Sequence, residues 1–322
     1  MKSHSYKLFL ETLHLKVPDR RKLVVQLMDL LCIEKEAVYR RLRQEVAFSF
    51  SEIELIAKNY NISLDYIIGG RHTDDMIFYL RDYDFINTPS SYKASTQQYI
   101  DEIAAVKDAP ESEVGFAANS LPLTLLESRI YKNIHRFIVY KWLYKYGKCE
   151  KIPLFSDLVL PEHVSYFNDL YMQALMHVKY TYYIFPEDIV GPLLKDISYF
   201  VLVGYITQEE EEEMKKELFE WLNYLERLAM TGKFPTGNRI DFFVTPLSIE
   251  TGYSYLDSTN YKVAAFKLFN LNNLASANSN SIPHVEAWLR ALKKSSIEIS
   301  VSGELQRRKF FEDQRQLLEL KN

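Results

Sequence analysis

Residues 34–44 read E-K-E-A-V-Y-R-R-L-R-Q, and their spacing sorts them into two faces of one helix. Val38, Tyr39, Leu42 and Val46 recur at intervals of three and four and form an inward apolar stripe. Glu36, Arg40 and Arg43 recur on the opposite side, with Lys35 and Arg41 on its flanks, because residues three and four apart share a helix face. Such a front suits nucleic acid. Arginine donates two parallel hydrogen bonds to a guanine edge, and lysine and arginine neutralise phosphates. A stretch this short, taken alone, also describes a solvated basic helix face. Its neighbours decide between the two.

Those neighbours read as short helices. Residues 5–15 form a first helix. Pro18 suits the first turn of a second, 18–32, which carries Leu23, Leu27, Leu30 and Leu31 inward and Asp19, Arg20 and Arg21 at its start. Cys32, within Leu30-Leu31-Cys32-Ile33, reads as a small buried hydrophobe, and the chain breaks at Ile33. Ser51, three residues before Glu54, predicts a capping box for a fourth helix over 51–60, which buries Ile53, Ile56 and Ala57 and ends at Asn61. A fifth short helix, 62–69, closes at Gly69-Gly70.

Five short helices with the basic one third, followed by Ile56-Ala57-Lys58 and Ile62-Ser63-Leu64-Asp65, resemble the phage-repressor (lambda repressor and Cro-like) helix-turn-helix domains. The resemblance covers residues 5–69, about a fifth of the chain. It departs from the family at the turns, which are Cys32-Ile33 and Gln44-Glu45-Val46 where the family often has a small residue or glycine and then Glu-Asn-Gly. The resemblance implies that the third helix docks in the major groove, that the second crosses the backbone, and that the protein binds double-stranded DNA as a homodimer. Lys35, Glu36, Arg40 and Arg43 are then the base-facing candidates, Arg41 and Arg20 the phosphate candidates. Tyr39 fits either role, its position favouring packing.

Charge supports this division. Residues 1–71 hold 12 Lys and Arg against 9 Asp and Glu, a net of +3, while the remaining 251 hold 27 against 34, a net of −7. At 322 residues the chain has room for about two domains. Its 10 glycines leave little room for glycine-rich cofactor loops, and two cysteines, Cys32 and Cys149, make neither a disulfide framework nor a metal cluster. No signal-peptide pattern and no apolar run of membrane length occurs, so the expectation is a cytoplasmic protein with no membrane partner.

The expected architecture is mainly α: the five-helix domain over 1–70, a hinge over 71–95 with a helix before Pro89, and a mostly helical sensing or dimerisation domain over 96–322 with a small antiparallel sheet. Within it a helix is expected at 95–108 and a short strand at 113–120. A long basic helix should run from Pro122 to about Tyr146, its Arg129, Lys132, Arg136, Lys141, Lys145 and Lys148 more plausibly packed on the acidic body than facing DNA. A helix follows at 162–178, then one buried all round within 188–205. Thr207 and Glu210 form a capping box before the glutamates 209–213, which sit in the first turns where the helix dipole favours them. Strands near 239–246, 248–256 and 261–270 make a meander, with a hairpin turn at 257–260, and two helices end the chain.

No phosphate-binding glycine loop, zinc-ligand spacing or nucleophile elbow appears, and His135 and His177 read as core-edge residues. The reading is a DNA-binding transcriptional regulator without cofactor or metal, not an enzyme, carrying a C-terminal module that takes a small-molecule or protein effector. The alternatives are an interaction scaffold whose helical body binds a partner, or an effector-binding or enzymatic body. A deep pocket lined by tyrosines with converging polar groups would favour the last.

Overall fold

Leucines at helical spacing set the first unit. In the computed structural model, which describes residues 4–60, 62–69, 78–81, 89–104, 106, 109–146, 152–259, 261–268, 271–277 and 281–319, the chain divides into units 1–77 and 78–322. The first holds α1 (His4–Lys16), α2 (Arg20–Leu31), α3 (Lys35–Leu42), α4 (Phe50–Tyr60) and α5 (Leu64–Gly69). Phe9, Leu13, Leu23, Leu27, Val38 and Ile56 are buried at its centre, and each large apolar side chain so removed from water contributes about 1.5–3 kcal/mol. Leu30, Leu31 and Ile53 pack on this core but stay partly accessible.

Asp19 caps α2, its carboxylate accepting from the Arg21 and Lys22 amides at 2.8 and 3.2 Å. Cys32 ends α2 in the left-handed region at φ 52°, its amide bonded back to Met28. That reversal turns the side chain outward, so Cys32 is exposed and not the buried hydrophobe its apolar neighbours imply. The capping box also differs. Ser49 donates its amide to Glu52 at 2.7 Å, and the Glu52 amide donates to Ser49 Oγ at 3.2 Å. Ser49 and Glu52 thus take the role expected of Ser51 and Glu54, because Phe50 is already helical.

The second unit is built on a mixed sheet of eight strands, in the order β1-β7-β6-β5-β2-β3-β4-β8. They are β1 (Tyr79–Arg81), β2 (Glu113–Ala117), β3 (Tyr180–Pro186), β4 (Arg239–Thr245), β5 (Tyr253–Asp257), β6 (Lys262–Leu268), β7 (Asn272–Ser276) and β8 (Ile297–Glu298). Where the sequence leads one to expect a small antiparallel sheet, the sheet is neither small nor wholly antiparallel. β5, β6 and β7 do form an antiparallel meander, but β4 pairs parallel with β3, which pairs parallel with β2. Parallel pairing needs a crossover, and helices supply it. Part of the expected hinge is β1, paired with β7; residues 71–77 and 82–88 of that hinge lie outside the described residues.

Both faces of β3 are covered, which is why its sequence T-Y-Y-I-F shows no alternation. Tyr183 and Phe185 meet Phe242 and the helices α7 (Lys132–Tyr146), α9 (Gly191–Leu202), α10 (Gln208–Thr231) and α12 (Glu304–Glu319). Tyr182 and Ile184 meet α11 (Ser281–Lys294). Gly115 of β2 lies in register with both Tyr182 and Tyr255. A Cβ there would stand 2.5 Å from the Tyr182 ring, so only glycine lets the two tyrosines meet, hydroxyl to hydroxyl at 3.2 Å.

The remaining helices are α6 (Pro89–Ala104) and α8 (Glu162–Leu175). The long helix expected from Pro122 is a single 3-10 turn, Leu123–Leu125, followed by α7 only from Lys132. Glu217 of α10 accepts from the Asn133 and Ile134 amides at 3.1 and 2.9 Å, capping α7 from outside its own sequence. Two residues of the basic edge of α7 pair within the body: Lys141 meets Asp196 at 2.8 Å and Arg136 meets Glu210 at 3.8 Å, while Lys132 and Lys145 are exposed; Lys148 lies outside the described residues. α9 is one-sided, with Leu193, Leu194, Ile197 and Phe200 buried but Tyr199 and Leu202 exposed, so it is not a helix buried all round. The Thr207–Glu210 capping box of α10 forms as its spacing predicts. No helix among the described residues is long and apolar enough to cross a membrane.

Candidate functional site

The basic stretch folds as α3, one turn shorter than its sequence pattern, because Arg43 ends it and Gln44 takes φ 62°. Val38 and Leu42 are buried and Tyr39 packs beside them. Val46 lies past the helix end. Lys35, Glu36, Arg40 and Arg43 are exposed on the other side.

These residues are not equivalent. Arg41 turns back into the unit: Nη2 meets Glu52 Oε1 at 2.8 Å, Nε donates to Oε2 at 3.3 Å, and Nη1 donates to the Ala37 carbonyl at 3.2 Å. Burial raises the Glu52 pKa, but the Ser49 amide and the Arg41 guanidinium outweigh it and hold the carboxyl below its ordinary range. Arg41 is therefore a brace between α3 and α4, whereas its sequence position makes it a phosphate candidate. Arg43 donates to Glu36 and Glu45, each at 2.7 Å, and these partners, Glu36 foremost, raise its pKa. Arg40 lies 3.7 Å from Glu45.

Tyr39 draws two cations together. Arg20, from the start of α2, and Lys35, from the start of α3, each stand 6.0 Å from its ring centre. The starts of α2 and α3 thus present Arg20, Lys35 and the Tyr39 ring as one cluster, with Arg40 and Arg43 farther along α3.

The second unit contains a different feature, a cavity of about 230 Å³ between the sheet and helices α6, α7 and α8. Phe116, Ser254, Lys267 and Asn273 supply its sheet wall, and Tyr92, His135, Val139, Phe167 and Tyr171 its helical wall. The segment after β2 adds Asn119, Ser120 and Thr124. Lys267 follows Val263 and Ala265 on the inward face of β6. Its ammonium donates to Ser120 Oγ at 3.1 Å. Burial, and then the charge of Lys141, lowers its pKa to about 8. Among the described residues no carboxylate lies within ion-pair distance of it. The contrast with other half-buried lysines is plain: Lys141 has Asp196, Lys215 has Glu211, and Lys293 lies 4.3–4.9 Å from the ring centres of Tyr180, Tyr182 and Phe243.

His135 faces the same cavity. It is 3% exposed, its imidazole has no hydrogen-bond partner among the described residues, and burial lowers its pKa to about 4, so it is neutral at pH 7. Asn168 is already engaged, donating to the Leu126 carbonyl and Ser128 Oγ at 2.8 and 2.7 Å. Sequence reasoning placed His135 at the edge of the core and passed over Lys267. The available signal was the odd-numbered alternation Val263, Ala265, Lys267, which puts the lysine on the face of β6 that its apolar neighbours bury. No group of His, Cys, Asp and Glu among the described residues has the arrangement of a metal site.

No protein-family model, no curated protein and no solved structure matches this chain.

Proposed function

We propose that the first unit reads double-stranded DNA as a helix-turn-helix of the phage-repressor type, and that the chain is a transcriptional regulator whose second unit dimerises it or senses an effector. The observation that carries this reading is the division of labour on α3. Val38 and Leu42 anchor it, Arg41 braces it against α4, and Lys35, Arg40 and Arg43 stay exposed, with Arg20 and Lys35 gathered over Tyr39. A helix held from behind with cations in front suits docking in a major groove, where arginine reads guanine and lysine holds phosphate. The net charge of +3 over residues 1–71, against −7 over the rest, favours the same end of the molecule. The reading makes the protein a binder of DNA, not a catalyst.

The test is fluorescence anisotropy of the full chain with duplexes from its own upstream region, across a salt series. A DNA reader loses affinity steeply as salt rises, in proportion to the phosphates it neutralises. Arg40→Ala weakens the specific duplex by about 1–3 kcal/mol if that side chain holds a base edge. An equal loss on every duplex would assign it to phosphate. No salt-sensitive binding at all would refute the reading.

A further inference from the structure

We propose that the cavity of the second unit binds a small organic carboxylate, its acid group on Lys267 and Ser120 and its apolar body between Phe116 and the α7–α8 wall. The inference concerns the second unit alone and stands whether or not the first reads DNA.

Charge is the first argument. A buried ammonium that lacks an anionic neighbour is costly, and proteins normally pair it or neutralise it. Among the described residues the Lys267 ammonium has one neutral hydroxyl, Ser120, and a second cation, Lys141, close enough to lower its pKa further. A bound carboxylate supplies the missing countercharge. Ser120 already orients the ammonium, and a carboxylate accepts from several donors at once.

Shape is the second. A cavity of about 150 Å³ lined by apolar side chains holds benzene, and drug-sized pockets begin near 300 Å³. At about 230 Å³ this one suits a single ring or short chain bearing one acidic arm. Phe116, Val139, Val164 and Phe167 give the apolar surface for that body.

The third is independent of Lys267. The imidazole of His135 lines the same cavity, and among the described residues it makes no hydrogen bond. A hydroxyl or carbonyl on the ligand body would give that imidazole a partner. A second hollow, of about 440 Å³, shares Asn119, Ser120 and Lys267 with the first and adds Lys141 and Lys145. Lys267 therefore lines both hollows.

The experiment is calorimetric titration of the full chain with phenylpropionate, benzoate and octanoate, each beside its uncharged amide. At least one acid should bind about tenfold or more tighter than its amide, the difference a hydrogen bond to a charged group makes. Lys267→Met, of similar length without charge, should remove that tenfold advantage, bringing acid and amide to similar affinity. Because it also removes a partly buried charge that has no carboxylate partner among the described residues, it should fold and melt higher than the parent. Val139→Trp, which fills the chamber, should abolish binding of acid and amide alike. Equal binding of acid and amide, undiminished acid binding by Lys267→Met, or no binding by any of the three acids below about 5 mM would each overturn the proposal.

Discussion

Arg41 grips Glu52 with two nitrogens, at 2.8 and 3.3 Å, and Glu52 in turn accepts the Ser49 amide that opens α4. The pair joins the C-terminal half of α3 to the first turn of the next helix. Both side chains are largely covered, at 19% and 17% exposure, so the contact is better shielded than an ordinary surface ion pair. Arg41→Ala should lower the stability of the first unit by about 1–3 kcal/mol, and Glu52→Ala by a similar amount because it also removes the cap. Chemical denaturation of both variants and of the double variant checks this. The double should cost less than the sum of the singles, since the two share one interaction. Arg41→Lys should recover only part of the loss, because an ammonium lacks the planar fork.

Glu36 and Glu45 hold Arg43 in a surface network on the proposed DNA face. Each competes with phosphate and base edges for the same guanidinium. Glu45→Gln should raise non-specific duplex affinity several-fold, while folding stability stays within about 0.5 kcal/mol. Glu36→Gln should do the same for non-specific DNA but cost specificity if Glu36 itself contacts a base. Anisotropy on one specific and one scrambled duplex separates the two. A fall in affinity for Glu45→Gln would show that the network orients Arg43 and does not restrain it.

His135 should make the second unit acid-sensitive. Its folded pKa is about 4 against an ordinary 6.5, so between those values the unfolded chain binds the extra proton. Stability then falls as pH drops through 6.5 and continues to fall until about 4, by roughly 3 kcal/mol at most. His135→Leu should flatten that part of the stability profile. Melting curves between pH 4 and 7 give the answer, and a slope unchanged by the substitution would remove His135 as its cause.

Lys267 acts at the other end of the scale. Its folded pKa is about 8 against 10.5 unfolded, so its penalty is fully present below pH 8 and is relieved as pH rises from 8 towards 10.5. Lys267→Met should remove this alkaline stabilisation and raise the melting temperature at pH 7. A melting temperature lowered at pH 7 would show that the ammonium has a stabilising partner.

Local periodicity was enough to place Val38, Leu42, Leu23 and Leu27 inside, because a helix face is written within a few residues. The capping box at Thr207 was legible for the same reason. The Ser49 cap was misplaced by two residues, since Ser49-Phe50-Ser51 offers two serines with a glutamate three positions on. β3 was missed because a strand covered on both faces loses its alternation and resembles any apolar run. The parallel pairing of β3 with β2 and β4 joins segments more than 50 residues apart, which no local pattern records. Glu217 capping α7 from α10 is equally non-local. Lys267 escaped attention because a lysine in a strand reads as solvated until its neighbours on both sides of the sheet are known.

The most direct measurement is selection from a pool of random duplexes by the full chain at two salt concentrations, repeated with Arg40→Ala plus Arg43→Ala. The account predicts salt-sensitive enrichment of a two-fold-related motif, its halves about one helical turn apart, and loss of that enrichment in the double variant. Weak binding without enrichment, unchanged by the two substitutions, would contradict it.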